Sequence, residues 1–185
     1  MSSSVGHAAR PFTYADLEDM PDDGYRREII GGSLIATPAP SARHQLVVAA
    51  LVRVLQTAKT ATTAVLTAPY DWKLPDGGSV QPDLLVVRRE DLDLDGPLPA
   101  SAVPLLVVEV LSPSNAEQDR AVKRSLYERL GVRAYWVVDP LVPSVLALRL
   151  GTGGRYETDA EVAGSDVLAT DWPFPVRLAP AELAP

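Results

Sequence analysis

Residues 105–111 of the chain read LLVVEVL, an apolar run that a single carboxylate, Glu109, interrupts near its end. A second run, DLLVV over residues 83–87, begins with Asp83 directly after a proline. Short continuous apolar runs of this kind are typical of strands that are covered on both faces of a sheet. The two runs therefore predict two buried strands, each with one acidic residue near an end.

The two carboxylates predict a metal site. A carboxylate within an apolar strand is costly to bury unless it is paired, protonated or bound to a cation. If the strands are neighbours, Asp83 and Glu109 can converge at one end of the sheet, within about 6 Å of each other, and share one Mg²⁺ ion. Such an ion can activate water for phosphodiester hydrolysis. The alternatives are that Asp83 is a turn or cap residue and that Glu109 forms a buried salt bridge.

The flanking segments predict an α/β fold in which helices pack against a mixed sheet. Before the two runs, the pattern predicts a short helix capped by Thr13, a β-hairpin of strands 25–30 and 33–37, a helix over 42–59 and a strand over 62–67. After them, it predicts a helix that ends at Gly131, strands at 134–138 and 145–150, and a turn over 151–154 that leads to Tyr156. The central order is helix, strand, strand, strand, helix, strand.

Lys123 lies in the second turn of the later helix, which a capping box of Ser114 and Glu117 is predicted to open. The predicted buried stripe of this helix consists of Val122, Leu126 and Leu130. Lys123 would then lie at the edge of the core, from where its ammonium could reach the end of the sheet and orient a water or hold a phosphate. The alternative is an exposed pair with Asp119, worth roughly 0.3 to 0.5 kcal/mol.

Two other polar residues have simpler interpretations when each is taken alone. Glu28 shares a face of its hairpin strand with Arg26, which indicates a solvated strand charge. His44 lies in the first turn of the helix over 42–59, in line with Val47. A lone histidine at such a position is more often a satisfied residue at the core edge than a catalyst.

Composition bounds the class of protein. The chain has 185 residues, no cysteine and a net charge of −7. The absence of cysteine excludes disulfides and thiolate metal sites, and it favours a reducing compartment, so we expect a cytoplasmic protein. We expect neither a secretory signal at residues 1–5 nor a membrane span. The negative charge has the wrong sign for a protein whose affinity comes from neutralising phosphates, so a nucleic-acid substrate would need local basic surface or bound cations.

An ordered set of motifs points to a known family. In chain order the motifs are REIIGGSL at 27–34, Pro38 and Pro40 with His44-Gln45, QPDLLVV at 81–87, VVEVLSPS at 107–114, Asp119-Arg120 with Lys123, and Gly131-Val132 before YWVVDP at 135–140. Together, over about residues 12–180, they resemble the Uma-two family, which consists of restriction endonucleases of the PD-(D/E)XK superfamily.

The resemblance implies one nuclease-like domain over residues 1–185 with a restriction-endonuclease-like fold. Its αβββαβ core has a mixed sheet, and an N-terminal β-hairpin and C-terminal strands are added to it. The resemblance also implies that Asp83 and Glu109, with the carbonyl of Val110, hold Mg²⁺, with Mn²⁺ as the alternative ion, for the hydrolysis of DNA.

One position departs from the general superfamily pattern. The lysine expected two positions after the glutamate is replaced by Leu111. The Uma-type pattern instead has a lysine on the following helix, and Lys123 matches it. Glu28, His44 and Gln45 match further positions of the pattern, and the resemblance implies that they line the site as candidate catalytic residues.

Two functions of different class remain open at this point. The first is a metal-dependent endonuclease that hydrolyses DNA. The second is a non-catalytic module that keeps the nuclease fold and dimerises or binds nucleic acid. The acidic pair with Lys123 favours the first function, and the net charge of −7 favours the second. In either case we expect a homodimer, to which exposed apolar hairpin residues such as Ile35 would contribute.

Overall fold

Three α-helices form within the described part of the chain, besides two short 3-10 helices at Arg89–Asp91 and Pro180–Glu182. The computed structural model describes residues 10–112 and 116–183, and residues 116–120 are described only as part of a helix. The helices are α1 Tyr14–Glu18, α2 Ala42–Ala58 and α3 Ala116–Arg129. The hydroxyl of Ser41 caps α2 by accepting a hydrogen bond from the backbone N–H of His44. Helix α3 ends before Gly131, whose φ of +77° suits glycine. The predicted capping box at Ser114 lies outside the described residues.

Twelve strands make up the sheets of the described residues. They are β1 Arg26–Ile30, β2 Ser33–Thr37, β3 Thr63–Thr67, β4 Trp72–Lys73, β5 Ser79–Val80, β6 Leu84–Arg88, β7 Leu106–Val110, β8 Ala134–Asp139, β9 Ser144–Leu150, β10 Tyr156–Ala163, β11 Leu168–Thr170 and β12 Val176–Leu178. The two apolar runs are therefore strands, as predicted. The sequence pattern did not predict the short strands β4, β5, β11 and β12, nor the longer strand β10.

The central sheet is mixed, which confirms the predicted fold class. Its six strands have the order β10-β9-β8-β7-β6-β3. Strands β7 and β8 are parallel, and their neighbours are antiparallel. The order α2, β3, β6, β7, α3, β8 along the chain is the αβββαβ core. A second sheet of order β2-β1-β5-β4 holds the N-terminal hairpin, and β11 pairs with β12.

Both faces of the central sheet are covered by other parts of the chain. Alternate residues of each strand point to opposite faces, so both sets of side chains are buried. On one face α2 packs on residues that include Leu84, Val86 and Val108. On the other face Leu126 and Tyr127 of α3 pack on residues that include Leu85, Val87 and Val107. This double burial explains why the strands read as continuous apolar runs.

The buried stripe of α3 differs from the prediction by one position. Val122 is 40% exposed, so its assignment to the core was wrong, and Lys123 is buried in its place with 1% exposure. Lys123, Leu126 and Tyr127 have the i, i+3, i+4 spacing of one helix face. The apolar pattern alone favoured Val122 because a lysine is not expected in a core unless it is paired.

The N-terminal hairpin forms in the predicted register. Ile30 pairs with Ser33, and Gly31 and Gly32 both have positive φ, as a primed two-residue turn requires. Ile35 is only partly exposed, which corrects its description as an exposed apolar residue. No helix in the described ranges is long and apolar enough to cross a membrane.

Candidate active site

The register of the two central strands brings Asp83 and Glu109 together. Strands β6 and β7 pair so that Leu84 lies opposite Val108. One residue further, the same register places Asp83 opposite Glu109, and directly opposite residues have Cβ atoms about 5 Å apart. Both residues are buried and line one cleft of about 630 Å³.

Three groups hold the carboxylate of Asp83. Arg26 of β1 donates from Nη1 to Oδ1 at 2.8 Å. The backbone N–H of Val110 donates to Oδ2 at 2.8 Å, and Nε2 of His44 lies 3.0 Å from the same oxygen. A buried carboxylate with three such partners is held in one orientation.

Two side chains of α3 hold the carboxylate of Glu109. Nζ of Lys123 lies 3.1 Å from Oε1 of Glu109, and the hydroxyl of Tyr127 donates to the same oxygen at 2.7 Å. Strand alternation explains the contact: Val107 packs on the α3 side of the sheet, and Glu109 two residues later faces the same side. The amine of Lys123 therefore points to the acidic pair and away from solvent.

Glu28 is the third carboxylate of this group. It is 1% exposed, so the interpretation as a solvated strand charge was wrong. Its Oε2 lies 3.1 Å from Nζ of Lys123, and its Oε1 accepts a hydrogen bond from the backbone N–H of Gln81 at 2.9 Å. Strand β1 thus contributes both Glu28 and Arg26 to the site.

The group carries an excess of negative charge. The three carboxylates of Glu28, Asp83 and Glu109 face the two cations Arg26 and Lys123, which leaves 2 − 3 = −1 when all are ionised. Burial and the neighbouring charges of Asp83 and Glu28 raise the pKa of Glu109 to about 7, although Lys123 and Arg26 oppose them. Ionisation of Glu109 is therefore costly in this group without a further cation.

The pKa values of Asp83 and Tyr127 are shifted in ways that differ from that of Glu109. Burial raises the pKa of Asp83, but the hydrogen bond of His44 and the charge of Arg26 outweigh it and hold the pKa below its ordinary value. Burial and the charge of Glu109 raise the pKa of Tyr127 well above its ordinary value, so its hydroxyl stays protonated and donates. One carboxylate stays ionised and the other titrates near neutral pH, a separation that is typical of functional pairs.

The remaining predicted residues lie around this group. His44 is buried beside Asp83, and its Nδ1 has no hydrogen-bond partner among the described residues. Gln45 is exposed and lines the cleft, as Val110 does. The contact of Val110 with Asp83 is made by its N–H, so the role of its carbonyl as a metal ligand stays a prediction.

The residues of this cleft fit a Mg²⁺ ion better than a zinc ion. In the described residues no group of three or more His, Cys, Asp or Glu side chains could hold a metal, whereas zinc sites use three or four such ligands. Mg²⁺ is bound by one or two carboxylates and keeps several waters. Asp83 and Glu109 supply two carboxylates, and the excess negative charge of the group would be neutralised by a cation.

Sequence reasoning missed two residues of the group. Tyr127 lies four positions after Lys123, so both lie on one helix face, and this spacing could have identified it. Arg26 lies two positions before Glu28 on the same strand face. The sequence analysis placed Arg26 on that face, but it did not assign Arg26 to the site. Nothing in the sequence pairs it with Asp83, which lies 57 residues away.

One comparison with known proteins shows the family of the chain, and another shows its fold. The model of the Uma2 family, described as "Putative restriction endonuclease", matches residues 14–180. The crystal structure of a "putative nuclease belonging to DUF820" from Anabaena variabilis superposes with a TM-score of 0.76 at 19% identity, covering 94% of this chain and 97% of that chain. At this identity the likeness shows the fold alone. No curated protein matches the chain.

Proposed function

Because the chain belongs to the Uma2 family, described as "Putative restriction endonuclease", we propose that it is a cytoplasmic, Mg²⁺-dependent endonuclease that hydrolyses DNA. The observation that carries this proposal is the pairing of Asp83 with Glu109 in one cleft, with Lys123 on Glu109. The absence of cysteine supports the cytoplasmic location.

Each residue of the group has a part in this proposal. Asp83 and Glu109, with the Val110 carbonyl, would hold the ion, and Mn²⁺ could replace Mg²⁺. The ion would supply activation of water and stabilisation of charge on the phosphate. Arg26 and His44 orient Asp83, while Tyr127 and Lys123 orient Glu109. Lys123 is also the nearest identified cation to Glu109, so it is suited to hold the scissile phosphate or to accept a proton from water.

The proposal is tested by nicking of supercoiled plasmid. We expect relaxed and linear products with Mg²⁺ or Mn²⁺, and none with a chelator, because the proposed ion would supply the activation of water. A Glu109→Ala protein prepared in parallel controls for contaminating nucleases. Equal nicking by this variant and the wild type would refute the proposal.

The pH dependence of stability follows from Glu109. Its pKa is about 7 in the folded protein against an ordinary value of 4.5. Between these values the folded state binds a proton that the unfolded chain does not, so the metal-free protein loses stability as the pH rises through this window. The pKa of Asp83 is lowered from 3.8, so the contribution of Asp83 to the stability of the fold changes only at more acidic pH.

A divalent ion binds the ionised form, so Mg²⁺ should raise the unfolding temperature more at about pH 8 than at about pH 6. Thermal unfolding with and without Mg²⁺ at both values measures the effect. Equal stabilisation by Mg²⁺ at the two pH values would contradict a site at Glu109.

One observation favours the non-catalytic function as a second candidate. The carboxylates of Asp83 and Glu109 already have cationic partners inside the chain, as in a purely structural network. The two functions are separated by the plasmid assay together with metal titration. A protein that neither nicks DNA nor gains stability from Mg²⁺ or Mn²⁺ would support the second candidate.

A homodimer is also part of our proposal. Strand β2 is an edge of its sheet, pairs in the described residues only with β1, and has the uncharged sequence SLIAT. The edge strand β10 instead carries three acidic residues and a bulge, which discourage pairing. Two β2 strands can pair antiparallel about a two-fold axis.

We expect the chain to sediment at twice 19.8 kDa, and the Ala36→Lys variant at 19.8 kDa, because a charge on β2 opposes edge pairing. The matched control is Ala163→Lys on β10, which should leave the dimer intact. A wild-type chain that stays at 19.8 kDa at micromolar concentration would show that the dimer proposal is wrong.

A further inference from the structure

The walls of the cleft differ in chemistry from its floor. The buried side chains of Asp83, Glu109 and Lys123 form the floor. The residues toward the mouth are mainly apolar: Tyr25, Pro38, Pro40, Val48 and Pro69. A cleft of about 630 Å³ is of the size that holds small ligands. It can hold a nucleotide or two, but it cannot enclose a continuous duplex.

The charges of the cleft do not suit a DNA backbone. Its charged lining consists of Asp22, Arg26, Asp83, Glu109 and Lys123, an excess of one acid. Arg26 is paired with Asp83, and Lys123 is paired with two glutamates. The two cationic side chains that line the cleft are thus already in ion pairs with carboxylates of the described residues. Affinity from counterion release requires cations that are available to phosphates, and the whole chain has a net charge of −7.

Tyr25 offers a different source of affinity. Its side chain lines the cleft and is 51% exposed. Within the described residues no other ring and no cation packs on it, although Tyr14 and Trp172 each have a cation over the ring. It directly precedes Arg26, which holds Asp83, so the ring is tied by one peptide bond to the residue that orients the acidic pair.

From these observations we propose that Tyr25 stacks on a nucleobase, and that the substrate of the cleft is single-stranded DNA or an unpaired nucleotide. The base would pack between Tyr25 and the prolines of the mouth, and its phosphate would lie over Asp83 and Glu109. Aromatic stacking is available to every base, because every base has a π-face, so it gives this cleft a source of affinity besides its paired cations. This proposal rests on the proposed nuclease function for the position of the phosphate.

Binding without cleavage tests the proposal separately from catalysis. The probes are a short fluorescein-labelled thymidine oligonucleotide and a labelled duplex of equal length, titrated with the Glu109→Gln protein and read by fluorescence polarisation. We expect the single strand to bind more tightly than the duplex. On the same background, Tyr25→Ala should weaken single-strand binding about tenfold, and Tyr25→Phe should keep it. Because Tyr25 is half exposed, its replacement should not unfold the chain.

The matched control is Phe12→Ala, which removes an exposed aromatic ring outside the cleft and should leave binding unchanged. Tighter binding of the duplex, or unchanged single-strand binding by Tyr25→Ala, would overturn the proposal. A wild-type protein that binds single strands through Tyr25 but never cleaves them would refute the nuclease function and leave the stacking site in place. A protein that cleaves duplex equally well with Tyr25→Ala would refute the stacking site alone.

Discussion

Replacing Glu109 by glutamine is expected to abolish Mg²⁺-dependent cleavage, with a loss of at least about a hundredfold, because even residues that only support a metal ligand cost 10- to 100-fold. Glutamine keeps the shape of the side chain and an oxygen that can accept from Lys123 and Tyr127. It removes the charge that a cation would bind. Plasmid nicking measures the loss.

The same exchange should stabilise the metal-free protein at about pH 8. There Glu109 is ionised at a cost, since burial and the neighbouring acids raise its pKa to about 7. Glutamine avoids this cost, so the unfolding temperature without metal should rise while the gain from Mg²⁺ disappears. Both quantities are measured by thermal unfolding.

The matched control is Glu161→Gln, an identical exchange at an exposed position of β10. It should change neither cleavage nor stability beyond about 0.5 kcal/mol. A Glu109→Gln protein that still gains the wild-type stability from Mg²⁺ would show that the ion binds elsewhere.

Replacing Lys123 by alanine should both abolish cleavage and destabilise the fold by about 3 to 5 kcal/mol. The sequence placed Lys123 at the core edge, which implied little effect on stability. The position at the core edge is wrong, because the side chain is 1% exposed and contacts Glu28 and Glu109. Its loss would leave two buried carboxylates without their shared cation. Urea unfolding measures the change, and Arg129→Ala, at an exposed position of the same helix, is the control.

Two further variants separate the catalytic role of Lys123 from its structural role. In Glu28→Gln/Lys123→Met one charge of each sign is removed, so stability should recover relative to Lys123→Met alone. Cleavage should not recover if Lys123 acts on the substrate. Lys123→Arg keeps the charge but cannot accept a proton from water. No cleavage by the arginine variant indicates proton transfer, and partial cleavage indicates a phosphate contact. Full cleavage by the double variant would remove Lys123 from the mechanism.

Local signals in the sequence were sufficient for most of the fold. The apolar runs around Asp83 and Glu109 predicted buried strands because both faces of those strands are covered. Ser41 and Gly131 predicted the start of α2 and the end of α3 through hydrogen bonds and backbone angles that neighbouring residues determine. The strands β11 and β12 were missed because they are only three residues long, too short for a periodic pattern.

The sequence by itself determined most of the elements and the two acidic residues at the centre of the site, because periodicity and an acid in an apolar run are local properties. Only the tertiary structure decided which charges meet. The burial of Glu28, the contact of Arg26 with Asp83 and the inward position of Lys123 all depend on elements that are distant along the chain. A charge is tolerated in a core only when a partner lies within a few ångströms. Whether such a partner is present depends on how strands and helices pack, which no local pattern specifies.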